Sequence, residues 1–209
     1  VVMAMLAYPL SRPNYKYKKI ATFFIFFTML FSGGLIPTYI WITRYLHLGD
    51  TIWVYILPCL VNAFHVIVIR SFFQGLPQAL MESAKIDGAS ELQTFFKIVM
   101  PLSKPVIATI SLLTLLSRWN DWNTALIYIK SSNLYSLQYL LQKILREAEF
   151  VKNMAESSPV AGVDLDLSNL PSVTIRFAMC MVAAGPMLII FPFFQKYFAK
   201  GLTVGAVKG

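Results

Sequence analysis

Long apolar runs alternate with short polar segments along this 209-residue chain. A helix needs about 20 apolar residues to cross a bilayer, and several of the runs reach that length. Backbone groups in lipid must find hydrogen-bond partners within their own segment, so runs of this kind are predicted to be helices. The pattern predicts four complete spans, at residues 20–42, 51–69, 104–129 and 172–194, and the end of a fifth at residues 1–10.

The polar segment at residues 77–101 has the features of folded structure. Asp87-Gly88 predicts a helix stop, because glycine adopts the left-handed conformation without a Cβ penalty. Ser90, with Gln93 three residues later, has the spacing of a capping box, which would start a second helix. The segment is therefore predicted to form two short helices that meet at a sharp bend.

Each of these two helices is expected to have one apolar face. Pro77 suits the first position of the first helix, where its missing N–H has no cost, and Pro101 is expected to end the second helix. The residues predicted to form the apolar faces are Leu80, Ala84 and Ile86 in the first helix and Leu92, Phe95, Phe96 and Val99 in the second.

Three elements of this segment match a known pattern. Glu82-Ser83-Ala84, Gly88 and Ile98-Val99-Met100-Pro101 stand where that pattern has Glu-Ala-Ala, Gly and Ile-x-Leu-Pro, with separations of three and nine residues. Ser83 replaces an alanine and Met100 replaces a leucine, and the spacing is intact. The segment therefore resembles the cytoplasmic coupling loop of importer-type ABC transporter permeases. The alternative is an ordinary amphipathic helix-turn-helix between two spans.

The resemblance implies that this loop docks into a groove on an ATP-hydrolysing partner subunit. Glu82 would provide a polar contact there, and Gly88 would provide the bend. The residues that the resemblance assigns to ATPase coupling are Glu82, Ser83, Ala84, Asp87, Gly88, Ile98 and Pro101.

Composition supports a membrane protein, with 57% hydrophobic and only 13% charged residues. The net charge of +8 comes from segments on the coupling-loop side, which hold 11 Lys and Arg against three acids. An excess of cations is typical of cytoplasmic loops, so a nucleic-acid partner is not expected. Cys59 and Cys180 lie in apolar runs and are predicted to be buried free thiols. Because the chain starts inside an apolar run, we expect residues 1–209 to be one transmembrane permease domain that is incomplete at its N-terminus.

Two polar residues interrupt the run at residues 51–69. Asn62 and His65 are three residues apart, so a continuous helix would place them on one face. Polar groups at membrane depth often mark a transport pathway, and these two are candidates for lining a solute route. An interhelical hydrogen bond that only packs the helices is equally consistent. His65 has no second His or Cys at ligand spacing, so a metal site is not predicted.

Arg118 lies about 20 Å along the predicted helix from Pro105, beyond the membrane midplane. Asp121 is three residues further on and can pair with the guanidinium. The neighbouring aromatic rings and amides resemble sugar-binding chemistry, whereas a local ion pair with interfacial Trp anchors is the alternative. The candidates for a substrate path in this stretch are Arg118, Trp119, Asn120, Asp121, Trp122 and Asn123.

The segment at residues 130–171 is of mixed polarity, and alternation of the spans places it outside the cell. Residues 134–148 are predicted to form an amphipathic helix, followed by surface loop that includes Asp164 and Asp166. A loop of this length is usually functional. In related permeases the loop between the last two spans contacts the external solute-binding protein, and the resemblance implies the same for this segment.

The C-terminal region also resembles a family pattern. Residues 193–198 and 200–209 are similar to the C-terminus of carbohydrate-uptake permeases related to the maltose transporter. Residues 101–105 and 134–138 are similar to the subgroup that imports oligosaccharides from plant or algal polysaccharides, uronate-containing ones included. His65 departs from the asparagine expected in that subgroup.

The resemblance implies an all-α, polytopic transmembrane helical bundle in the cytoplasmic (inner) membrane of a bacterium. The expected partners are a second homologous permease subunit, an ABC ATPase dimer, an external solute-binding protein, the oligosaccharide substrate and membrane lipid. We expect no cofactor in this chain, with ATP and Mg bound by the partner ATPase, because the chain has no phosphate-binding Gly-x-x-x-x-Gly-Lys-Ser/Thr loop.

An ion-coupled secondary transporter is the main alternative, with Asp121 and His65 as its only candidates for a coupling-ion site. An intramembrane enzyme has less support, because the chain has neither His-Glu-x-x-His nor Gly-x-Ser-x-Gly. No catalytic residue is therefore predicted.

Overall fold

The computed structural model describes residues 1–157 and 172–206, and these residues form helices joined by turns, without strands. The predicted surface loop with Asp164 and Asp166 lies outside the described residues, as do residues 207–209. The helices are α1 (Val2–Ser11), α2 (Lys18–Leu30), α3 (Leu35–Ile40), α4 (Trp53–Ile56), α5 (Ala63–Gln74), α6 (Gln78–Ile86), α7 (Glu91–Thr94), α8 (Met100–Leu102), α9 (Lys104–Trp119), α10 (Asn123–Tyr128), α11 (Leu137–Ser157) and α12 (Ser172–Ala206).

Two helical stretches depart from α geometry by forming wider, π-helical turns, Trp41–Tyr45 after α3 and Phe95–Val99 after α7. Two others are single 3₁₀ turns, Leu57–Cys59 and Ser132–Leu134. π-helical turns are rare and are frequently found at functional sites.

Most of the predicted spans are broken helices. Within the described residues, Phe177–Gln195 of α12 is the one uninterrupted helix that is long and apolar enough to cross a bilayer, and the number rises to four if each of three bent helix pairs crosses as a unit. The bends measure 113° between α2 and the α3 segment, 42° between the α4 segment and α5, and 78° at the start of α9.

Single residues account for two of the breaks. Gly34 is the N-cap of α3 with a φ of 84°, a left-handed conformation that glycine adopts at no steric cost. The uninterrupted helix predicted over residues 51–69 is wrong, because Asn62 caps a new helix there. The helix predicted over residues 104–129 is also wrong, since α9 ends at Trp119 and α10 begins at Asn123.

The main core lies where α1, α5, α9 and the segment at residues 78–102 meet. Arg70 in α5 donates from Nε to the carbonyl oxygen of Leu10 at 3.1 Å, which satisfies one of the free carbonyls at the end of α1. The residues buried in this core are Ala4, Ala7, Tyr8, Leu10, Val66, Ile69, Phe73, Met81, Phe95, Val99, Val106 and Ile110.

A second, smaller buried cluster joins Ile42, Val54 and Ile129. Farther along the chain, α12 packs against α9, and α11 packs against α12. The amphipathic helix predicted over residues 134–148 starts three residues later and extends to Ser157.

Much of the remaining apolar surface is exposed. α2 buries none of its residues, and Phe23, Phe24 and Phe27 point outwards. Cys180 is exposed and Cys59 is half-buried, so the prediction that both are buried is wrong, although both are free thiols. Exposed apolar area on this scale indicates that lipid or other subunits cover these helices.

Candidate functional site

The segment at residues 78–102, called the hairpin below, contains the helix stop and restart that its sequence indicates. Asp87 ends α6, and Gly88 has a φ of 77°. The Gln93 backbone N–H donates to Ser90 Oγ at 3.2 Å, and the Ser90 N–H donates to Gln93 Oε1 at 2.9 Å. Both halves of the capping box are therefore present, and they fix the direction in which α7 leaves the turn.

The face that α6 buries differs from the predicted one. Met81 and Ala84 are buried, whereas Leu80 is exposed and Ile86 has 86% of its surface exposed. The prediction for Leu80 and Ile86 is wrong because α6 lies against the end of α1, where Met81 contacts Arg12. Ile86 is left as an apolar side chain that projects next to the turn.

The second half of the hairpin buries two of its four predicted apolar residues. Phe95 and Val99 are in the core, while Leu92 and Phe96 are exposed. Two proline predictions are also corrected. Pro77 is the N-cap of α6 instead of its first residue, and the helix continues past Pro101 to a break at Ser103.

The residues assigned to ATPase coupling fall into two groups. Five lie on α6 and its turn, and of these Ala84 is buried, while Glu82, Ser83, Asp87 and Gly88 are exposed. Ile98 and Pro101 lie instead on the stem that leads into α9, where Ile98 is half-buried and Pro101 is exposed. The exposed group on α6 presents polar atoms together with Ile86.

A charged network joins the hairpin to α1. The Tyr8 hydroxyl donates to Glu91 Oε2 at 2.7 Å, and Arg12 Nη2 donates to the same oxygen at 3.1 Å and to the Tyr8 hydroxyl at 2.6 Å. Lys85 Nζ lies 3.1 Å from Glu91 Oε1. The hydrogen bond from Tyr8, followed by those from Lys85 and Arg12, lowers the pKa of Glu91 to about 2.

A cavity of about 460 Å³ opens beside this network, between α1 and the hairpin. The charged side chains form one edge of the cavity, and apolar side chains form its wall. The apolar wall includes Met5, Pro9, Leu92 and Phe95.

Sequence reasoning did not single out this network. From the sequence, Arg12 and Glu91 are only two of the 11 Lys and Arg and the three acids on the coupling-loop side. Tyr8 and Arg12, the C-cap of α1, are four residues apart, a spacing that brings side chains together at the end of a helix, and this is the available signal. Their contact with Glu91 spans about 80 positions of sequence and has no local signature.

The predicted ion pair in the outer half of α9 is present. Arg118 Nη1 lies 2.9 Å from Asp121 Oδ2. Asp121 also accepts from the Thr124 N–H at 3.0 Å and from the Thr124 hydroxyl at 2.7 Å, so it satisfies a free N–H in the first turn of α10. These contacts agree with a local, structural ion pair.

The neighbours of this pair also make contacts within the fold. Trp119 Nε1 donates to the carbonyl of Ala183 in α12 at 2.8 Å, and Asn120 Nδ2 donates to the Leu116 carbonyl at 3.0 Å. Arg146 of α11 lies over the Trp122 ring at 5.4 Å. Asn123 is exposed at the start of α10.

Asn62 and His65 do not share a helix face, which corrects the prediction. Asn62 is the N-cap of α5, and its Oδ1 accepts from the His65 backbone N–H at 3.0 Å. The imidazole Nδ1 of His65 is buried without a hydrogen bond to any described residue. Among residues 1–157 and 172–206, no three His, Cys, Asp or Glu side chains are grouped closely enough to hold a metal ion.

Asp50 links two segments that the sequence did not connect. Its Oδ1 accepts from the N–H groups of Lys130 and Ser131, and its Oδ2 accepts from the Ser131 hydroxyl at 2.6 Å. These bonds, with that from the Ser131 hydroxyl foremost, lower the pKa of Asp50. The Asp50 N–H donates to the Tyr128 carbonyl at 2.9 Å, so the short segment after Tyr45 is tied to the segment after α10.

Comparison with known proteins defines the class. Residues 1–204 match the family model described as the inner membrane component of binding-protein-dependent transport systems. The chain belongs to this family of transport permeases, which are not enzymes.

Two curated relatives are permease proteins of carbohydrate transport systems. The chain is 42% identical over 212 residues to the polygalacturonan/rhamnogalacturonan transport system permease protein YtcP of Bacillus subtilis (strain 168), covering 99% of this chain and 70% of that protein. It is 34% identical over 208 residues to the arabinooligosaccharides transport system permease protein AraQ of the same organism, covering 99% of this chain and 66% of that protein. The chain thus spans about two thirds of the length of these relatives.

A solved structure supports the same class. A bacterial ABC transporter involved in the import of the acidic polysaccharide alginate matches with a TM-score of 0.76 and 30% sequence identity, covering 95% of this chain and 70% of the other. The suspected resemblance to carbohydrate-uptake permeases is confirmed by these relatives. Together they favour an ABC importer over the ion-coupled secondary transporter.

Proposed function

We propose that this chain is the membrane-spanning permease subunit of a binding-protein-dependent ABC importer for oligosaccharides, uronate-containing ones included. The observation that carries the proposal is the 42% identity, over nearly the whole chain, to a polygalacturonan/rhamnogalacturonan permease. The structural match to an alginate importer adds a second protein whose named substrate is acidic. Neutral oligosaccharides are the alternative substrate class, because AraQ is named for arabinooligosaccharides.

The proposed assembly has a second homologous permease, an ABC ATPase dimer that binds ATP and Mg, and an external solute-binding protein. The largely exposed apolar surface of α2 supports the need for covering partners or lipid. In this assembly the helices cross the inner membrane several times, with residues 77–101 inside and residues 130–171 outside. The excess of Lys and Arg on the hairpin side supports this orientation.

The hairpin is the proposed coupling element. Ile86 projects from its tip, and Glu82 and Asp87 are exposed on the same helix and turn. An exposed apolar side chain with polar neighbours suits a groove on another protein. ATP binding and hydrolysis in the partner would move the hairpin and shift the spans between inward-facing and outward-facing states.

The substrate path is proposed to use the polar residues of the outer half. Asn62, Arg118, Asn120 and Asn123 are exposed and accessible to a solute in the space between two permeases. The ion pair with Asp121 neutralises Arg118, so this arginine does not by itself favour an acidic sugar. His65, Trp119, Asp121 and Trp122 would shape the path from half-buried positions.

The test is substrate-dependent ATP hydrolysis by the purified complex in proteoliposomes. Galacturonate oligosaccharides, neutral arabino-oligosaccharides and no sugar are compared, each with and without the co-purifying solute-binding protein. We expect ATP hydrolysis and uptake to rise only with the binding protein and the galacturonate oligosaccharides. Equal stimulation by the neutral sugar would overturn the acidic substrate class, and uptake driven by an ion gradient without ATPase subunits would overturn the importer assignment.

A further inference from the structure

Three side chains from two separate parts of the chain converge on the carboxylate of Glu91. Oε2 receives hydrogen bonds from Tyr8 at 2.7 Å and Arg12 at 3.1 Å, both at the end of α1. Oε1 contacts Lys85 of α6 at 3.1 Å. Because Glu91 is the first residue of α7, its carboxylate lies where both hairpin helices face the end of α1.

The side of this network that belongs to α1 is firmly embedded. Tyr8 has 8% of its surface exposed, and its ring lies 5.2 Å from that of Phe95 and 6.5 Å from that of Phe73 in α5. The Arg12 side chain is 17% exposed and stacks over the Tyr8 ring at 4.8 Å. A force applied to the Glu91 carboxylate therefore reaches packed side chains of α1 and α5.

The hairpin side of the network is open. The side chains of Lys85 and Glu91 are both more than half exposed, and Ile86 beyond them is almost free of contacts within the chain. Both ion pairs that the hairpin makes to described residues use Glu91. The hairpin is also attached to the spans through Met81, Phe95 and Val99, which are buried in the main core, and through its bent stem, which turns by 78° at the start of α9.

We propose that Glu91 is a positioning residue that transmits displacement of the hairpin to α1 through Tyr8 and Arg12. This inference rests on the proposed function, since it assumes that the hairpin receives motion from an ATPase. Glu91 supplies a polar, hydrogen-bonded line of transmission beside the stem and the apolar core contacts of the hairpin. Without it, a displaced hairpin would slide past the end of α1, and ATP hydrolysis would drive fewer transport events.

The experiment uses the full importer complex in proteoliposomes, with its ATPase and solute-binding protein. Uptake and ATP hydrolysis are measured together, and assembly is checked by gel filtration and thermal unfolding. E91Q preserves side-chain shape but removes the charge, and Y8F removes one hydroxyl. Y17F is the matched control, because the Tyr17 ring is exposed and its hydroxyl makes no hydrogen bond to a described residue. K85Q changes a half-exposed side chain, so folding is not at risk in that variant.

We expect E91Q and Y8F to lower uptake per ATP hydrolysed by about threefold to tenfold relative to wild type. K85Q should lower this ratio by about twofold, and Y17F should leave it unchanged. The double variant Y8F/E91Q should fall no further than the worse single variant, since both act through one contact. If the E91Q complex does not assemble, uptake per ATP hydrolysed by Y8F and K85Q tests the proposal instead.

Three results would overturn the proposal. One is a wild-type value of uptake per ATP hydrolysed in both E91Q and Y8F. Another is a parallel loss of uptake and hydrolysis together with lower thermal stability, which would show a purely structural role. The third is a wild-type complex without ATP-driven, binding-protein-dependent uptake, which would overturn the proposed function as well. If wild type and E91Q both couple ATP hydrolysis to uptake equally well, this inference is refuted and the proposed function stands.

Discussion

Glu91 carries its negative charge in surroundings that favour ionisation. Its pKa falls from an ordinary 4.5 to about 2, because Tyr8, Lys85 and Arg12 all donate to the carboxylate. A carboxyl group whose pKa is lower in the folded state stabilises the fold above its unfolded pKa. That contribution is lost as the pH falls through 4.5 towards 2. Because the side chain is 53% exposed, salt should weaken the effect.

The corresponding prediction concerns acid stability. Between roughly pH 5 and pH 3, wild-type complex should lose thermal stability more steeply than E91Q, which has no carboxylate to protonate at this position. Thermal unfolding followed at several pH values checks this. E82Q is the control, since Glu82 makes no ion pair with a described residue, and it should keep the wild-type slope. Parallel slopes for wild type and E91Q would contradict the prediction.

Residues that act over short stretches were predictable from the sequence, whereas distant contacts were not. The capping box of Ser90 and Gln93 depends on two residues three positions apart, and its geometry follows from their side chains. The contact between Tyr8 and Glu91 depends on how α1 and the hairpin pack in three dimensions. The same reason explains why the bonds from Asp50 to Ser131 were missed.

At the scale of elements, the turn between α6 and α7 is the feature most sensitive to substitution. Gly88 has a φ of 77°, although a Cβ there would meet no atom within 4 Å. The obstacle to other residues is therefore backbone conformation and not space. A left-handed residue with a side chain costs about 1–2 kcal/mol.

We expect G88V to destabilise the turn by about that amount and to uncouple ATP hydrolysis from transport, since the hairpin would no longer leave α6 in the same direction. Uptake and hydrolysis by reconstituted vesicles give the measurement. G185A is a suitable control, because a Cβ at Gly185 also meets nothing within 4 Å and its φ is not left-handed. Wild-type uptake by G88V would refute the role of this turn.

The elements themselves were predicted better than their continuity. The apolar runs correctly indicated helices. The breaks inside them depend on single polar residues, and the same polar residue can be interpreted either as a helix cap or as a polar group at membrane depth. Asn62 was interpreted as a membrane polar group, whereas its side chain caps α5. Pro101 was expected to end a helix, yet the helical turns that start at Glu91 continue through Pro101 to Leu102, and the break falls at Ser103.

At the scale of the whole molecule, the proposed orientation across the membrane can be tested directly. Tyr45 lies between the spans predicted at residues 20–42 and 51–69, and alternation from the hairpin puts this segment outside. Asp87 lies at the hairpin tip proposed to be inside, and both residues are exposed. In a chain with Cys59 and Cys180 replaced by Ala, a membrane-impermeant maleimide should label Y45C in intact cells.

The same reagent should label D87C only after the cells are permeabilised. Charge distribution is the physical reason, because Lys and Arg are retained on the cytoplasmic side. A Y45C chain denatured before labelling controls for reactivity of the thiol itself. Labelling of D87C in intact cells would reverse the orientation and remove the hairpin from any contact with an ATPase.

The class of the molecule followed from the sequence because it depends on bulk hydrophobicity and on one spaced motif. The helical fold and the permease family both agree with that prediction. The exposed surfaces were less predictable: Phe23 and Ile86 look alike as apolar residues, but one is suited to lipid or a neighbouring subunit and the other projects at the hairpin tip. Only the packing of the helices separates these two situations.

The π-helical turn Phe95–Val99 lies between the capping box and the bend at Ser103. Its hydrogen bonds reach five residues along the chain instead of four, so the stretch holds a surplus residue compared with an α-helix. Deleting one of the five would restore α-helical winding with little change of phase, because the wide turn already absorbs the extra residue. Deleting a residue of α7 instead would rotate everything before it by about 100° about the helix axis. Ile86 would then project in a different direction about the helix axis. The spacing between Gly88 and Ile98 therefore sets an angular phase, and insertions or deletions here should be less tolerated than changes of side chain.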